Sequence, residues 1–307
     1  MFALIGNGTQ SKRIQKLLRN RKIKFYVYKP KSKNSKSIGD IKKLSKCKGI
    51  FILSPNNTHI KYLKMFNNKF IFCEKPPVSK QSDLIFLKKM NHKKTFFNFN
   101  YRFSIVGEIL RSRNKFNLGR FLYGNIINSH GLTYKKDYRK NWRTNKRNNP
   151  SGIFETVQIH FIDLINMFFD IKIIDKISLF NKSGIGQTPD TAHSKIYTKC
   201  GGIVNIFSSY RSCLITKKIF CFENGLIEQD ENNIFIKGPA YILDRKGFFK
   251  SPKIIKRYKI SNLNDYNLSL EKSVNFFLQA CKNSRKIEKK NFSKSISTTE
   301  FLIKKSF

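Results

Sequence analysis

At 307 residues the chain is long enough for two hydrophobic cores, since domains usually run about 100 to 200 residues. Hydrophobic residues make up 40% and Phe alone contributes 29, so there is ample apolar material to bury and no compositional basis for disorder. The formal charge of +42 ordinarily points to nucleic acid or an anionic membrane surface. Here the excess is lysine spread from end to end beside abundant Asn, Ile and Phe, the pattern of A+T-rich codons, with no basic arm, zinc-finger spacing or RNA-binding signature. No specific nucleic-acid partner is therefore expected, only a general preference for anionic ligands.

The first hundred residues alternate short apolar runs with amphipathic stretches. Strands are predicted at Phe2 to Ile5, Lys24 to Tyr28, Ile50 to Leu53, Phe70 to Cys73 and Thr95 to Phe99. Helices are predicted at Gln10 to Leu18, and behind Thr and Ser caps at Thr58 to Phe66 and Ser79 to Met90. Strands alternating with helices indicate a doubly wound parallel sheet in an α/β domain. After Arg102 the rhythm changes. A strand at Phe121 to Ser129 leads into a basic, loop-like stretch from Lys135 to Pro150, and a long helix runs from Gly152 to Phe169. Strands then dominate: Ile171 to Leu179, Ala192 to Thr198, Gly202 to Ser208, Lys217 to Phe222, Leu226 to Glu228 and Ile234 to Lys237. Turns at Cys200-Gly201-Gly202 and Glu223-Asn224-Gly225 predict a mostly antiparallel sheet, and helices at Leu268 to Cys281 and Ser295 to Lys305 close the chain. The expected division is 1–103 and 104–307, with the C-terminal helices able to pack back on the first domain.

Six dispersed cysteines without a Cys-x-x-Cys pair, and no His pair at ligand spacing, argue against a metal site. No run approaches the ~18 apolar residues of a membrane span, and the N-terminus lacks a leader's basic n-region. A reducing, cytoplasmic setting without membrane insertion is expected.

The first strand runs into Gly6-Asn7-Gly8-Thr9-Gln10-Ser11, a glycine-rich turn opening a helix. Gly6 permits the tight turn and Gly8 lets the backbone approach a pyrophosphate, while the helix N-terminus with Thr9 and Gln10 offers free N–H groups to its charge. Ser11 stands where a third glycine often sits. In a dinucleotide-binding fold, the residue ending the second strand selects the cofactor. That strand ends Tyr28-Lys29-Pro30-Lys31, and a lysine in place of a carboxylate favours NADP over NAD. Two more segments follow strands at the ligand-binding edge: Ser54-Pro55-Asn56-Asn57-Thr58-His59 and Cys73-Glu74-Lys75-Pro76-Pro77.

At this spacing these motifs resemble the Gfo/Idh/MocA oxidoreductases, which include glucose-fructose oxidoreductase and inositol dehydrogenase. The resemblance continues through Asn100-Tyr101-Arg102-Phe103, Gly119-Arg120, Trp142-Arg143 and the Gly152 to Asp163 helix. It implies an N-terminal Rossmann domain followed by an α+β domain with a large, mostly antiparallel open sheet. The implied activity is an NAD(P)-dependent dehydrogenase that moves a hydride between nicotinamide and a hydroxyl or carbonyl carbon of a sugar, cyclitol or nucleotide-sugar. The cofactor contacts implied are Gly6, Gly8, Thr9, Gln10, Lys29, Ser54, Pro55, Asn56, His59, Glu74, Lys75 and Arg102. Lys75 would hold the substrate oxygen and His160 would exchange its proton, with Arg102, Trp142, Arg143 and Thr156 as further substrate contacts. The resemblance also implies a homodimer or homotetramer through the open sheet.

The sequence departs from the family at one point. Four residues before His160 stands Thr156 instead of an acid, and the nearest carboxylate, Glu155, lies five residues away. On an α-helix that spacing turns the side chain about 140° from the histidine. Two other readings stay open: imine or biliverdin-type reduction on the same scaffold, and a non-catalytic dinucleotide-binding regulatory protein.

Overall fold

Short runs rich in β-branched and aromatic residues, each followed by an amphipathic stretch, build the first half of the chain as expected for βαβ units. The computed structural model describes residues 1–29, 41–239, 241–283 and 287–305, and these divide into two units. The first comprises Met1–Phe99 with Glu271–Lys304, and the second Asn100–Leu270.

In the first unit, β1 (Phe2–Ile5), β2 (Phe25–Tyr28), β3 (Gly49–Ile52), β4 (Phe70–Cys73) and β5 (Thr95–Phe97) form a parallel sheet in the order β2-β1-β3-β4-β5. Sequence order reverses between β1 and β3, the switch point where such sheets open a crevice at their carboxyl ends. The crossovers include α1 (Thr9–Asn20), α2 (His59–Met65) and α3 (Gln81–Lys89). The predicted Thr and Ser caps are not used. Thr58 turns its hydroxyl to Ser54 and the Pro55 carbonyl, and the residue before α3 is Lys80. The core is aromatic: Phe51 lies 5.0 Å from Phe72 and 5.1 Å from Phe277. Phe277 comes from α6 (Asn262–Asn283), and α7 (Lys289–Lys305) follows it.

In the second unit, eight strands form one sheet in the order β13-β12-β11-β10-β6-β9-β8-β7. They are β6 (Phe121–Ser129), β7 (Ile171–Phe180), β8 (Thr191–Thr198), β9 (Ile203–Ser209), β10 (Ile215–Phe222), β11 (Gly225–Gln229), β12 (Asn233–Lys237) and β13 (Ile254–Lys259). All neighbours are antiparallel except β6 and β9. No strand is predicted at β13, whose residues are almost all exposed. Alternate residues such as Ile196, Ile206, Phe220 and Ile227 are buried, whereas Tyr197, Phe207, Ile219 and Glu228 on the other parity are half-exposed. One face is therefore covered and the other open. The covering helix is α5 (Ile159–Phe169), whose Phe169 stacks on Phe121 at 3.9 Å.

Three expectations are corrected here. The helix predicted from Gly152 is α-helical only from Ile159, because Phe154–Gln158 form a π turn closed by Ile159 N–H on the Phe154 carbonyl. Buried Gln158 anchors that turn by donating to the Ala192 and Ile206 carbonyls at 2.7 and 3.1 Å and accepting from Ser194 at 2.7 Å. The stretch read as a loop contains short 3₁₀ turns at Tyr138–Lys140 and Trp142–Thr144. A further helix, α4 (Ile105–Arg111), is capped by Ser104, whose hydroxyl accepts the Gly107 N–H at 3.1 Å.

Candidate functional site

The first unit gathers its candidate residues at the carboxyl edge of β1, β3 and β4. Gly6 has φ +109°, and a Cβ there would meet the Leu53 carbonyl oxygen at 2.6 Å. No other residue fits where the two crevice loops press together. Gly8 behaves differently, since a Cβ there would meet nothing within 4 Å. Gly8 precedes α1, and no side chain caps the helix. Open space over an uncapped helix N-terminus suits a pyrophosphate, so these residues fit a dinucleotide. Ser11 sits buried with its hydroxyl on the Gly6 carbonyl at 2.8 Å, closing the turn where a third glycine often stands.

Behind this turn lies a buried polar chain. Ser273 on α6 donates to Asn98 at 2.9 Å, and Asn98 donates to Glu74 at 2.7 Å. Gln10 also hydrogen-bonds the Glu74 carboxyl, as does the Lys75 backbone N–H. Burial pushes the Glu74 carboxyl above its ordinary value, and the Asn98 hydrogen bond, the Lys75 charge and the Gln10 hydrogen bond draw it back. Glu74 and Gln10 are thus tied to each other, and Lys75, half-buried, is fixed at its backbone by that arrangement. His59 is fully buried, with Nδ1 2.9 Å from the Pro76 carbonyl and Nε2 2.8 Å from the Ser54 carbonyl. It ties the β3 loop to the β4 loop. Burial lowers its pKa, the Pro76 and Ser54 carbonyls draw it partly back, and the Lys75 charge adds a smaller lowering. Lys29 is exposed just beyond β2, and its neighbours Pro30 and Lys31 lie outside the described residues.

The second unit holds the other candidates. Arg102 does not present its guanidinium to a ligand. It is 1% exposed and bound through Nε and Nη2 to both Asp163 carboxylate oxygens, at 2.7 and 2.5 Å, which makes it a structural residue. His160 is half-exposed on α5, with the Tyr101 ring edge-on at 5.2 Å, and Tyr101 itself stacks on Phe161 at 5.4 Å. Glu155 lies within the π turn Phe154–Gln158, where the angular spacing of an ideal α-helix does not apply. Glu155 is buried and accepts the Ser151 N–H at 3.4 Å.

Thr156 meets Tyr210, hydroxyl to hydroxyl, at 2.7 Å, and its own hydroxyl donates to the Gly152 carbonyl at 2.9 Å. With the threonine proton so used, Tyr210 donates to Thr156 and its oxygen remains to accept from Arg143. Burial raises the Tyr210 pKa against the pull of Arg143. Arg143 lies 4.5 Å over the Trp142 ring, and Trp142 is 41% exposed. The structure therefore joins Trp142, Arg143 and Thr156 through Tyr210, a residue the sequence did not single out.

Lys218 was also missed. It points to the covered side of β10, 4% exposed, donates to Gln229 and has Nζ 5.7 Å from the Tyr101 ring centroid and 5.9 Å from that of Phe161. Burial pushes its pKa down to about 8 against the opposing charge of Asp265. A signal existed: Lys218 shares strand parity with Thr216, Phe220 and Phe222, the apolar side of its strand.

No protein-family model matches the chain, and no curated protein matches it in sequence. Solved structures match it nearly end to end. Levoglucosan dehydrogenase in complex with NADH and levoglucosan is 14% identical with a TM-score of 0.80, over 99% of this chain and 96% of that one. A myo-inositol dehydrogenase from Corynebacterium glutamicum is 18% identical with a TM-score of 0.71, over 98% and 93%. An oxidoreductase from Agrobacterium radiobacter in complex with NAD+, L-tartaric acid and magnesium is 13% identical with a TM-score of 0.79, over 98% and 93%. The chain has the fold of these Gfo/Idh/MocA-type oxidoreductases: a parallel Rossmann-like sheet with helices and a large, mostly antiparallel eight-stranded sheet.

Proposed function

We propose that the protein is a nicotinamide-dependent oxidoreductase that moves a hydride between the cofactor and a CH–OH carbon of a sugar, cyclitol or nucleotide-sugar. The observation that carries this reading is the Gly6 turn at the β1/β3 switch point, with its glycine locked against Leu53 and open space at Gly8. Structures of the same fold that hold NADH or NAD+ support it. When bound, the nicotinamide supplies or accepts the hydride. Of this chain's residues, Gly6, Gly8 and Thr9 face the pyrophosphate and the Ser54-Pro55-Asn56 backbone borders the crevice. Lys75 holds the substrate oxygen, and His160 exchanges its proton. Lys29 pairs with a 2′-phosphate, which makes NADP the preferred cofactor. The open sheet face, with Tyr197, Phe207 and Ile219 half-exposed, is the surface for a homodimer or homotetramer.

Titration with NADPH and NADH at physiological salt, followed by nicotinamide fluorescence, tests the reading. Tighter binding of NADPH is expected, and Lys29→Asp lowers the NADPH-to-NADH affinity ratio by about tenfold, the size of one lost charge-assisted contact. Failure to bind either nucleotide overturns the oxidoreductase, whereas an unchanged ratio overturns only the role of Lys29.

A further inference from the structure

We infer that the second unit carries an anion subsite built on Arg143, Tyr210 and Trp142, which gives the protein an acidic substrate: a polyol or sugar bearing a carboxylate or a phosphate monoester. Its place in catalysis rests on the oxidoreductase reading above; the binding of the anion does not.

Arg143 is fixed from behind. Its carbonyl accepts from Thr188 at 2.6 Å and from Asn149 at 2.9 Å, both side chains buried, and its N–H donates to Asn141 at 3.1 Å. Three polar side chains thus clamp one residue in a stretch that has only short 3₁₀ turns, a large investment in the position of a single arginine. Its guanidinium is held as well, with its central carbon 4.5 Å from the Trp142 ring centroid and contacts to the Asn141 oxygen at 3.5 Å and the Tyr210 hydroxyl. Unlike Arg102, it makes no ion pair among the described residues. A guanidinium has five N–H donors in a rigid fork, so donors remain for a two-oxygen acceptor.

The surrounding charge favours an anion. His130, whose ring is 5.0 Å from that of Tyr210, has its pKa lowered first by burial and then by the charges of Arg143 and Lys135, so two cations face this ring. Two carboxylates are near and neither pairs with Arg143. Asp190, felt at Tyr138, accepts the N–H groups of Lys182 at 3.0 Å and Ser183 at 2.8 Å and the Thr191 hydroxyl at 2.9 Å. Glu155, felt at Tyr210, accepts the Ser151 N–H. Because the Tyr210 proton is committed to Thr156, arginine, tyrosine and threonine share one donor order, and the half-buried Arg143 keeps donors beyond those bonds. A neutral hydroxyl is a weak acceptor for such a fork, and a carboxylate or phosphate makes charge-assisted bonds roughly twice as strong.

The test is calorimetric titration of the full chain with glucose, gluconate, glucuronate and glucose 6-phosphate. Physiological salt is needed because the net charge of +42 attracts any anion when unscreened. At least one acid is expected to bind about tenfold or more tighter than glucose, and the favoured acid distinguishes carboxylate from phosphate. Arg143→Met should erase that preference, and Arg143→Lys should retain part of it. Lys146→Met, a neighbouring exposed lysine, should leave it intact. Equal affinities for all four sugars, or a preference that survives Arg143→Met in a protein with unchanged thermal unfolding, overturns the subsite. The acid-to-neutral ratio can be read without cofactor, so a protein that fails to bind nicotinamide loses the oxidoreductase reading and still decides this one.

Discussion

At the carboxyl edge of the parallel sheet, the contacts that close the crevice loops end on main chain. Gly6 lies against the Leu53 carbonyl, and the His59 ring spans the Ser54 and Pro76 carbonyls. Around the π turn they run through side chains: Arg143 to Tyr210 to Thr156, Gln158 to two strands, Arg102 to Asp163. Main-chain contacts depend on a few small or special residues close in sequence and accept almost any neighbour. Side-chain contacts depend on residues far apart in sequence, each free to be replaced. The first region is therefore legible from short stretches of sequence, and the second only from the folded chain.

The largest effect that would sharpen this contrast belongs to Arg102. Replacing it with Met strands the Asp163 carboxylate in the core, and breaking one side of a buried pair costs about 3–5 kcal/mol. Urea denaturation should show that loss, with Arg102→Met/Asp163→Leu recovering part of it; a loss within 0.5 kcal/mol, the range of about a surface change, would mean that the pair is not structural. Next comes Lys218. Its pKa falls from 10.5 to about 8 on folding, so below pH 8 both states carry the charge and the burial cost is fully present, on the order of 3 kcal/mol. Between those two values the unfolded chain holds more protons than the native one, so this residue's contribution to stability rises with pH. The stability difference between wild type and Lys218→Met should shift in favour of wild type by that amount across the window, and a flat difference would remove the shift.

Smaller effects separate the two glycines. Gly6→Ala forces a side chain into positive φ and against backbone, and strain of this kind costs about 1–3 kcal/mol. Gly8→Ala enters open space and should change stability by less than about 0.5 kcal/mol while weakening nicotinamide binding. If Gly8→Ala binds NADPH as wild type does, the pyrophosphate does not pass over Gly8.

Much of the fold was legible because its signals are local. The five parallel strands and the glycine turn could be read from runs of four to six residues, and the Glu223-Asn224-Gly225 turn does join β10 to β11, with Phe222 paired to Gly225. What could not be read depends on distant partners. Nothing near Tyr210 announces that it completes the Thr156 wall, and nothing near Arg102 announces that its charge is matched by a residue sixty-one positions away. β13 is exposed along nearly its whole length and so lacks the alternation that reveals a strand. The five-residue offset from Glu155 to His160 was visible, but the π turn within it was not.

The π turn has one more consequence. A helix that bonds i to i+5 carries an extra residue within nearly the same length, so along Phe154–Gln158 the count along the chain and the angle around the axis part company. Such a turn absorbs a single-residue insertion without disturbing either flank, the way a vernier takes up a mismatch between two scales. In this chain that slack falls at Phe154–Gln158, ahead of the α-helix that covers the sheet, and it holds two chemically unlike neighbours, the carboxylate of Glu155 and the hydroxyl of Thr156.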